Sequence, residues 1–282
     1  MNYRHAFHAG NFADVLKHAV LARILTHLVQ KPTPLRYIDT HAGIGWYDLA
    51  GDAATRTGEW ASGIGRVQSD SASPKCSDLL APYLDIVGPR DGSGRPLAYP
   101  GSPAVAQHLL RPADKLLLCE KHPEDAVALR AALKGDKRAK IVEGDGYRLL
   151  NAAVPPPERR GVVLIDPPFE DRAEFDAMAD AFASAFRKWP TGVYLLWYPI
   201  KDTTLVARFE RSMGDLGLPR WMRITLQQPP GSDPDRLRGS GLFIANPPHT
   251  LPSEMDLLLP YLSGCFSRGG DPWRWTIEAH LP

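Results

Sequence analysis

Apolar residues recur at two periods along the chain, and the switching between them predicts the architecture. Between residues 13 and 29, Leu16, Ala19, Val20, Ile24 and Leu28 return every third or fourth position, the spacing of one buried helix face. Lys31-Pro32 supplies the stop, because a proline pushes the residue before it out of the helical region. A short apolar run follows, Leu35-Arg36-Tyr37-Ile38-Asp39, which reads as a buried strand. Further buried strands are predicted at 116–119, 139–142, 162–165, 193–197, 222–226, 242–245 and 273–278. Helical spacing fills 102–110, 123–133, 175–188, 205–216 and 253–262. Strands alternating with helices predict an α/β sheet covered by helices on both faces. Late in the chain the intervening helix disappears. The strands at 222–226 and 242–245 are joined through Pro229-Pro230-Gly231, which predicts an antiparallel hairpin at the sheet edge.

Residues 47–100 break the alternation, being rich in Ala, Ser, Asp and Gly with weak helical spacing only at 59–67 and 77–87. Structureless loops longer than about 15 residues are uncommon in compact domains. This stretch is therefore expected to be a small helical insertion, with 1–46 and 101–282 forming the main domain.

Composition narrows the function classes. Lys and Arg number 33 against 32 Asp and Glu, a net charge of +1, which excludes a polybasic mode of nucleic-acid binding but not a local basic face. A hydrophobic content of 44% excludes wholesale disorder. Cys76, Cys119 and Cys265 are far apart with no C-x-x-C pair, which fits a reducing compartment better than a disulfide framework. No apolar run approaches the ~18 residues of a membrane span. The N-terminus carries His5, His8, Asp14, Lys17 and His18 where a signal peptide would be apolar, so a soluble, cytoplasmic protein is expected. No H-x-x-x-H spacing accompanies the early histidines His5, His8, His18 and His41, and no metal site is expected.

The chemistry-bearing residues sit where strands end. Asp39-Thr40-His41-Ala42-Gly43-Ile44-Gly45 follows the first strand, and its glycines permit a sharp turn and close approach to a ligand. A tight turn without a ligand is the alternative, since the third glycine of G-x-G-x-x-G is missing at Leu49. Glu120 closes the second strand and suits a ribose diol, or is a solvated strand-end carboxylate. Asp145, between Gly144 and Gly146, closes the third and suits an adenine amino group, or is a loop carboxylate. The sharpest signal is Val162-Val163-Leu164-Ile165-Asp166-Pro167-Pro168-Phe169. Prolines fix φ and remove donors, leaving rigid carbonyls that accept hydrogen bonds. A planar amine can donate to the Asp166 carboxylate and the Pro167 carbonyl while its ring stacks on Phe169.

These motifs resemble those of class I S-adenosylmethionine-dependent amino-methyltransferases, whose catalytic turn is (N/D)-P-P-(Y/F/W). Residues 3–18, Tyr37 to Gly43, Tyr99-Pro100-Gly101-Ser102-Pro103 and Leu196-Trp197-Tyr198-Pro199 resemble the bacterial 23S ribosomal RNA adenine-N6 methyltransferase family of the RlmJ type. The resemblance spans almost the whole chain. It implies a Rossmann-like, mostly parallel sheet with an antiparallel edge hairpin and a helical insertion. S-adenosylmethionine is the implied cofactor, and 23S ribosomal RNA, protein-free or in an early assembly intermediate, the implied partner. The resemblance places Lys17, His18, His41, Gly43, Ser102, Glu120, Asp145, Gly146 and Asp166 around the cofactor. Asp166, Pro167 and Phe169 are then catalytic, and Tyr3 and Arg4, with Phe169, face the RNA. Phe169 stands where the family usually has tyrosine, which keeps the stacking face and removes a hydroxyl. Candidate cations for phosphate contacts are Arg56, Arg66, Lys134, Lys137, Arg138, Lys140, Arg159, Arg160, Arg236 and Arg238, with the 134–140 group reading more simply as a solvated loop.

Three rival functions share parts of this pattern. A methyltransferase acting on DNA adenine or protein glutamine would use the same turn, but a DNA enzyme usually carries a separate sequence-reading domain. A catalytically silent RNA-binding assembly factor is disfavoured by the intact Asp166 to Phe169 motif with Glu120. A nicotinamide-dependent oxidoreductase lacks the third glycine.

Overall fold

In the computed structural model, which describes residues 4–67, 72–229, 237–267 and 271–281, strands and helices alternate as the apolar periodicity requires. Helix α1 (Phe12–Leu28) begins where Asn11 accepts a hydrogen bond from the Asp14 amide at 2.9 Å. Strand β1 (Arg36–Asp39) follows, then the short β2 (Trp46–Tyr47). Helices α2 (Asp52–Thr57), α3 (Glu59–Ser62) and α4 (Pro74–Val87) come next. Strand β3 (Tyr99–Pro100) pairs back onto β2, closing the stretch between them. The remaining order is α5 (Ser102–Leu109), β4 (Lys115–Glu120), α6 (Pro123–Ala132), β5 (Ala139–Glu143), α7 (Gly146–Ala153) and β6 (Gly161–Ile165). It continues through α8 (Glu174–Lys188), β7 (Val193–Ile200), α9 (Thr203–Asp215), β8 (Trp221–Gln227), β9 (Gly239–Ala245), α10 (Leu251–Phe266) and β10 (Arg274–His280).

The main sheet runs β10-β8-β9-β7-β6-β1-β4-β5. Strands β5, β4, β1, β6 and β7 are parallel, whereas β9, β8 and β10 join antiparallel. This is the mostly parallel, Rossmann-like sheet that the alternation of strands and helices predicts. Strands β8 and β9 do pair antiparallel, but the expected edge position is corrected: β9 lies between β7 and β8, and β10 forms the border. The connecting Pro230 and Gly231 lie outside the described residues. Helix α7 was not evident from the sequence; only eight residues long, it follows the 143–146 turn directly.

Alternate residues of the strands feed two separate cores, as the period-two geometry of a sheet demands. Tyr37, Leu118, Leu164 and Leu195 point to the face covered by α1, α4, α5 and α10. Ile38, Leu117, Val163, Leu196 and Tyr198 point to the face covered by α8 and α9. Helix α1 is buried on nearly all sides. That explains why it is apolar beyond one stripe and why its buried polar residues, Asp14, Lys17 and His18, must find partners. Among the described residues no helix is long and apolar enough to cross a membrane.

Candidate active site

The carboxyl ends of β1, β4, β5, β6 and β7 open with α1 onto one pocket of about 710 Å³. Crevices form at such strand ends because the chain leaves in opposite directions on either side of the switch point. At one end of the pocket, Gly43 and Gly45 hold positive φ values of 63° and 84°. A Cβ on Gly43 would stand 2.3 Å from Tyr47 Oη, so a side chain there must displace the Tyr47 hydroxyl as well as strain the backbone. Glu120 stitches this turn to the next strand, accepting the Gly43 N–H through Oε2 and the His122 N–H through Oε1, both at 2.8 Å. Burial pushes its carboxyl up, and the His122, Gly43 and Lys121 amides oppose the shift. Asp145 caps α7 by accepting the Arg148 amide at 3.0 Å. Gly146 lies so close to β1 that a Cβ would fall 2.1 Å from the Thr40 carbonyl oxygen.

Beneath the turn sits the fully buried Asp39, which accepts from Tyr37 Oη at 2.6 Å and Ser102 Oγ at 2.7 Å. Burial pushes its pKa up to about 6 against the pull of these donors. His41 pairs through Nδ1 with Thr40 Oγ1 at 2.8 Å, and burial lowers its pKa to about 4, so it is neutral at pH 7. His18 is likewise buried and neutral, its pKa lowered to about 3, with Nδ1 2.9 Å from Tyr99 Oη. Tyr99 in turn meets Tyr83 Oη at 2.8 Å, so a buried chain runs from the pocket wall into α4.

The other end of the pocket is organised by charge. Lys17 Nζ lies 2.5 Å from Asp166 Oδ2 and 3.0 Å from Asp14 Oδ1. Burial would lower the Lys17 pKa, but the two carboxylates outweigh it and hold the ammonium above its ordinary value. Asp14 Oδ2 accepts the Gly10 amide at 2.9 Å and meets His5 Nε2 at 2.8 Å. Burial pushes its carboxyl up, yet His5 and Lys17 hold it well below the ordinary range. Pro167 is buried, and Phe169 takes a positive φ of 50° that turns its ring into the pocket. That ring packs 4.7 Å from Phe175 and edge-on, 5.7 Å, to Trp197.

The structure thus brings Lys17, His18, His41, Gly43, Ser102, Glu120, Asp145, Gly146, Asp166, Pro167 and Phe169 to one pocket wall or another. Lys17 is occupied by two carboxylates rather than standing free for an anion. Arg4 does not line the pocket; its guanidinium is held by Asp125 at 2.7 Å and Glu124 at 2.5 Å. Tyr3 and Arg236 lie outside the described residues. Arg66, Arg138 and Arg160 are spent on internal carbonyls or on Asp136. Sequence reasoning did not assign Asp14, Asp39, Tyr47 or Trp197. Asp39 was signalled by its place just before the glycine turn, Asp14 by its spacing from Lys17, and Trp197 by its place in the 196–199 motif.

Comparison with known proteins agrees with this geometry. The family model described as ribosomal RNA large subunit methyltransferase D, RlmJ, matches residues 32–277. Escherichia coli (strain K12) ribosomal RNA large subunit methyltransferase J is 40% identical over 262 residues, covering 93% of this chain and 92% of that protein. The Haemophilus influenzae protein of the same name is 37% identical over 283 residues, covering 100% of this chain and 99% of the relative. A crystal structure of a Legionella pneumophila protein superposes with a TM-score of 0.88 at 36% identity, covering 96% of this chain and 98% of that one. The cofactor of such enzymes is S-adenosylmethionine, and the residues present fit it. Gly43 lines the pocket at a positive φ that a side chain would strain, the Glu120 carboxylate lies in the same wall, and the volume lies within the range of cofactor sites. On the sequence match, the sheet order and the pocket together, the chain belongs to the RlmJ family of ribosomal RNA large subunit methyltransferases, class I enzymes that use S-adenosylmethionine.

Proposed function

We propose that the protein methylates the exocyclic N6 of one adenine in 23S ribosomal RNA, with Asp166, Pro167 and Phe169 gripping a base taken out of its stack. The observation that carries this reading is the placement of Asp166-Pro167-Pro168-Phe169 at the end of β6, in the same pocket as the glycine turn and Glu120. The names of the relatives from E. coli and H. influenzae support ribosomal RNA as the substrate class. When bound, S-adenosylmethionine supplies an electrophilic methyl group on a sulfonium. Glu120 would hold the ribose hydroxyls, Asp145 and Gly146 the adenine, and Ser102, His18, His41 and Lys17 the surroundings of the methionine end.

The chain's own residues then do three things. Lys17 donates to Asp166 Oδ2, which leaves Oδ1 to accept one N–H of the target amine. The Pro167 carbonyl accepts the other, and the two acceptors favour a pyramidal nitrogen without a strong base. Phe169 stacks on the ring. Alignment of this kind supplies roughly 7–11 kcal/mol of the barrier reduction in well-oriented systems. Once the nitrogen becomes cationic it loses its proton readily to Asp166 Oδ1. Lys17, kept protonated by Asp14 and Asp166, is no base in this scheme. Residues 47–100 act as an insertion beside the site, and an unpaired or protein-free RNA segment lowers the few-kcal/mol cost of unstacking the base.

The test is incubation with labelled S-adenosylmethionine and separate pools of deproteinised 23S RNA, assembled subunits, DNA and protein. Label in N6-methyladenine of 23S RNA is expected. Label confined to DNA adenine or protein glutamine, or in no pool, would overturn the reading.

A further inference from the structure

The pocket continues past Asp166 along β7, and that extension carries residues the proposed chemistry does not use. In the β6–β7 register Ile165 faces Leu196, so β7 runs on through Ile200 beyond the level where β6 ends. Alternation along a strand sends residues 197, 199 and 201 one way and 196, 198 and 200 the other. The packing obeys this. Leu196, Tyr198 and Ile200 belong to the core under α8 and α9, whereas Trp197, Pro199 and Lys201 line the pocket. At about 3.3 Å per residue, Lys201 lies ~13 Å further out than Trp197.

The three pocket-facing residues are graded in chemistry. Trp197 is pinned by its indole N–H, which donates to Ser240 Oγ at 2.9 Å, and its ring meets Phe169 edge-on. Pro199 is a stiff apolar step. Lys201 is exposed, and its ammonium makes no hydrogen bond or ion pair among the described residues. The neighbouring carboxylate does not neutralise it, because Asp202 caps α9 and pairs with Arg172 at 2.8 Å. The loop after Phe169 also lines the pocket with Glu170, Asp171 and Glu174, and its Arg172 reaches Asp202 beside Lys201. Across the mouth, the charge of Lys201 is felt by His8 of the N-terminal segment.

We propose that this edge of β7 is the substrate nucleotide's track, with Lys201 the positioning residue that pairs with the backbone phosphate next to the flipped base. The inference rests on the reading of an RNA substrate and adds the residue and the direction of entry. An aromatic, an apolar step and a cation in that order match base, sugar and phosphate.

The experiment compares wild type with Lys201→Ala, Lys201→Arg and Lys201→Glu on deproteinised 23S RNA, by steady-state methyl transfer and by equilibrium RNA binding at several salt concentrations. For Lys201→Ala the expected result is a KM for RNA raised about 5- to 10-fold at low salt, with kcat and cofactor affinity within about twofold. The slope of log affinity against log salt should fall by about 0.7, the loss of one single-strand phosphate contact. Lys201→Arg should restore both, and Lys201→Glu should weaken binding further. An unchanged RNA KM and salt slope in Lys201→Ala, or a loss confined to kcat or cofactor affinity, would overturn the assignment. Failure of wild type itself to methylate or bind RNA would overturn the functional reading beneath it.

Discussion

Lys17 Nζ stands 2.5 Å from Asp166 Oδ2, joining the first helix to the turn at the end of β6 across 149 residues of sequence. The contact makes the lysine a fixed donor to Oδ2, which leaves Oδ1 as the oxygen that the proposed mechanism turns to the substrate. Removing the carboxylate tests its half of this arrangement. Asp166→Ala should abolish methyl transfer while leaving S-adenosylmethionine affinity within several-fold, measured by single-turnover transfer and by calorimetric titration. Retained transfer would refute the role given to Asp166.

The lysine also neutralises Asp14, whose side chain is only 2% exposed. Lys17→Met takes the ammonium from that carboxylate and leaves it its His5 contact; breaking a buried pair of this kind costs about 3–5 kcal/mol. Denaturant unfolding should register a loss of this size. Asp14→Asn in the Lys17→Met background should recover part of it, since the stranded charge is then gone. A fully additive double mutant would argue against the coupling.

In the proposed mechanism Phe169 stacks on the base without a hydroxyl. Phe169→Ala should lower kcat/KM for RNA by about 10- to 100-fold, the scale of one base–aromatic stack. Phe169→Tyr should stay within several-fold of wild type. A large gain on adding the hydroxyl would show that it matters to the chemistry after all.

Gly43 faces two penalties on substitution, a φ of 63° and a Cβ 2.3 Å from Tyr47 Oη. Gly43→Ala should lower cofactor affinity at least 10-fold and cost about 1–2 kcal/mol of stability. Adding Tyr47→Phe removes the oxygen and should return part of the affinity but not the backbone cost. Unchanged cofactor binding in the single variant would exclude a part for Gly43 in the cofactor site.

The buried neutral histidines make stability fall with acid. His18 and His41 have folded pKa values lowered to about 3 and about 4 by burial, below the ordinary 6.5, so the unfolded chain binds more protons as pH drops through 6.5. Each then costs about 2 kcal/mol between pH 6.5 and 5, at ~1.4 kcal/mol per unit. Asp39 works the other way. Its folded pKa of about 6 exceeds the ordinary 3.8, so it gains stability as pH falls below 6 and offsets part of the loss. Unfolding free energies at pH 7.5 and 5 should differ less in His18→Gln than in wild type. An identical pH dependence would contradict a neutral, buried His18.

Much of the scaffold was legible because strand cores and amphipathic helices are local patterns. Leu116 to Cys119 and Val162 to Ile165 announce themselves as buried strands by composition alone. Residues that end those strands, Glu120, Asp145 and Asp166, follow from position, since the loops leaving parallel strands build the crevice. Helix α7 was lost because eight residues with a glycine at the start give too little periodicity to separate them from a loop. The place of β9 inside the sheet and β10 at its border depended on pairing between distant strands, about which local hydrophobicity is silent. Likewise no spacing rule set Lys17 between Asp14 and Asp166, or spent Arg4 on Glu124 and Asp125. A charge that is buried on folding takes whichever opposite charge the packed helices bring within reach, and that choice is made by the crossing of α1 over the strand ends rather than by neighbours in the chain.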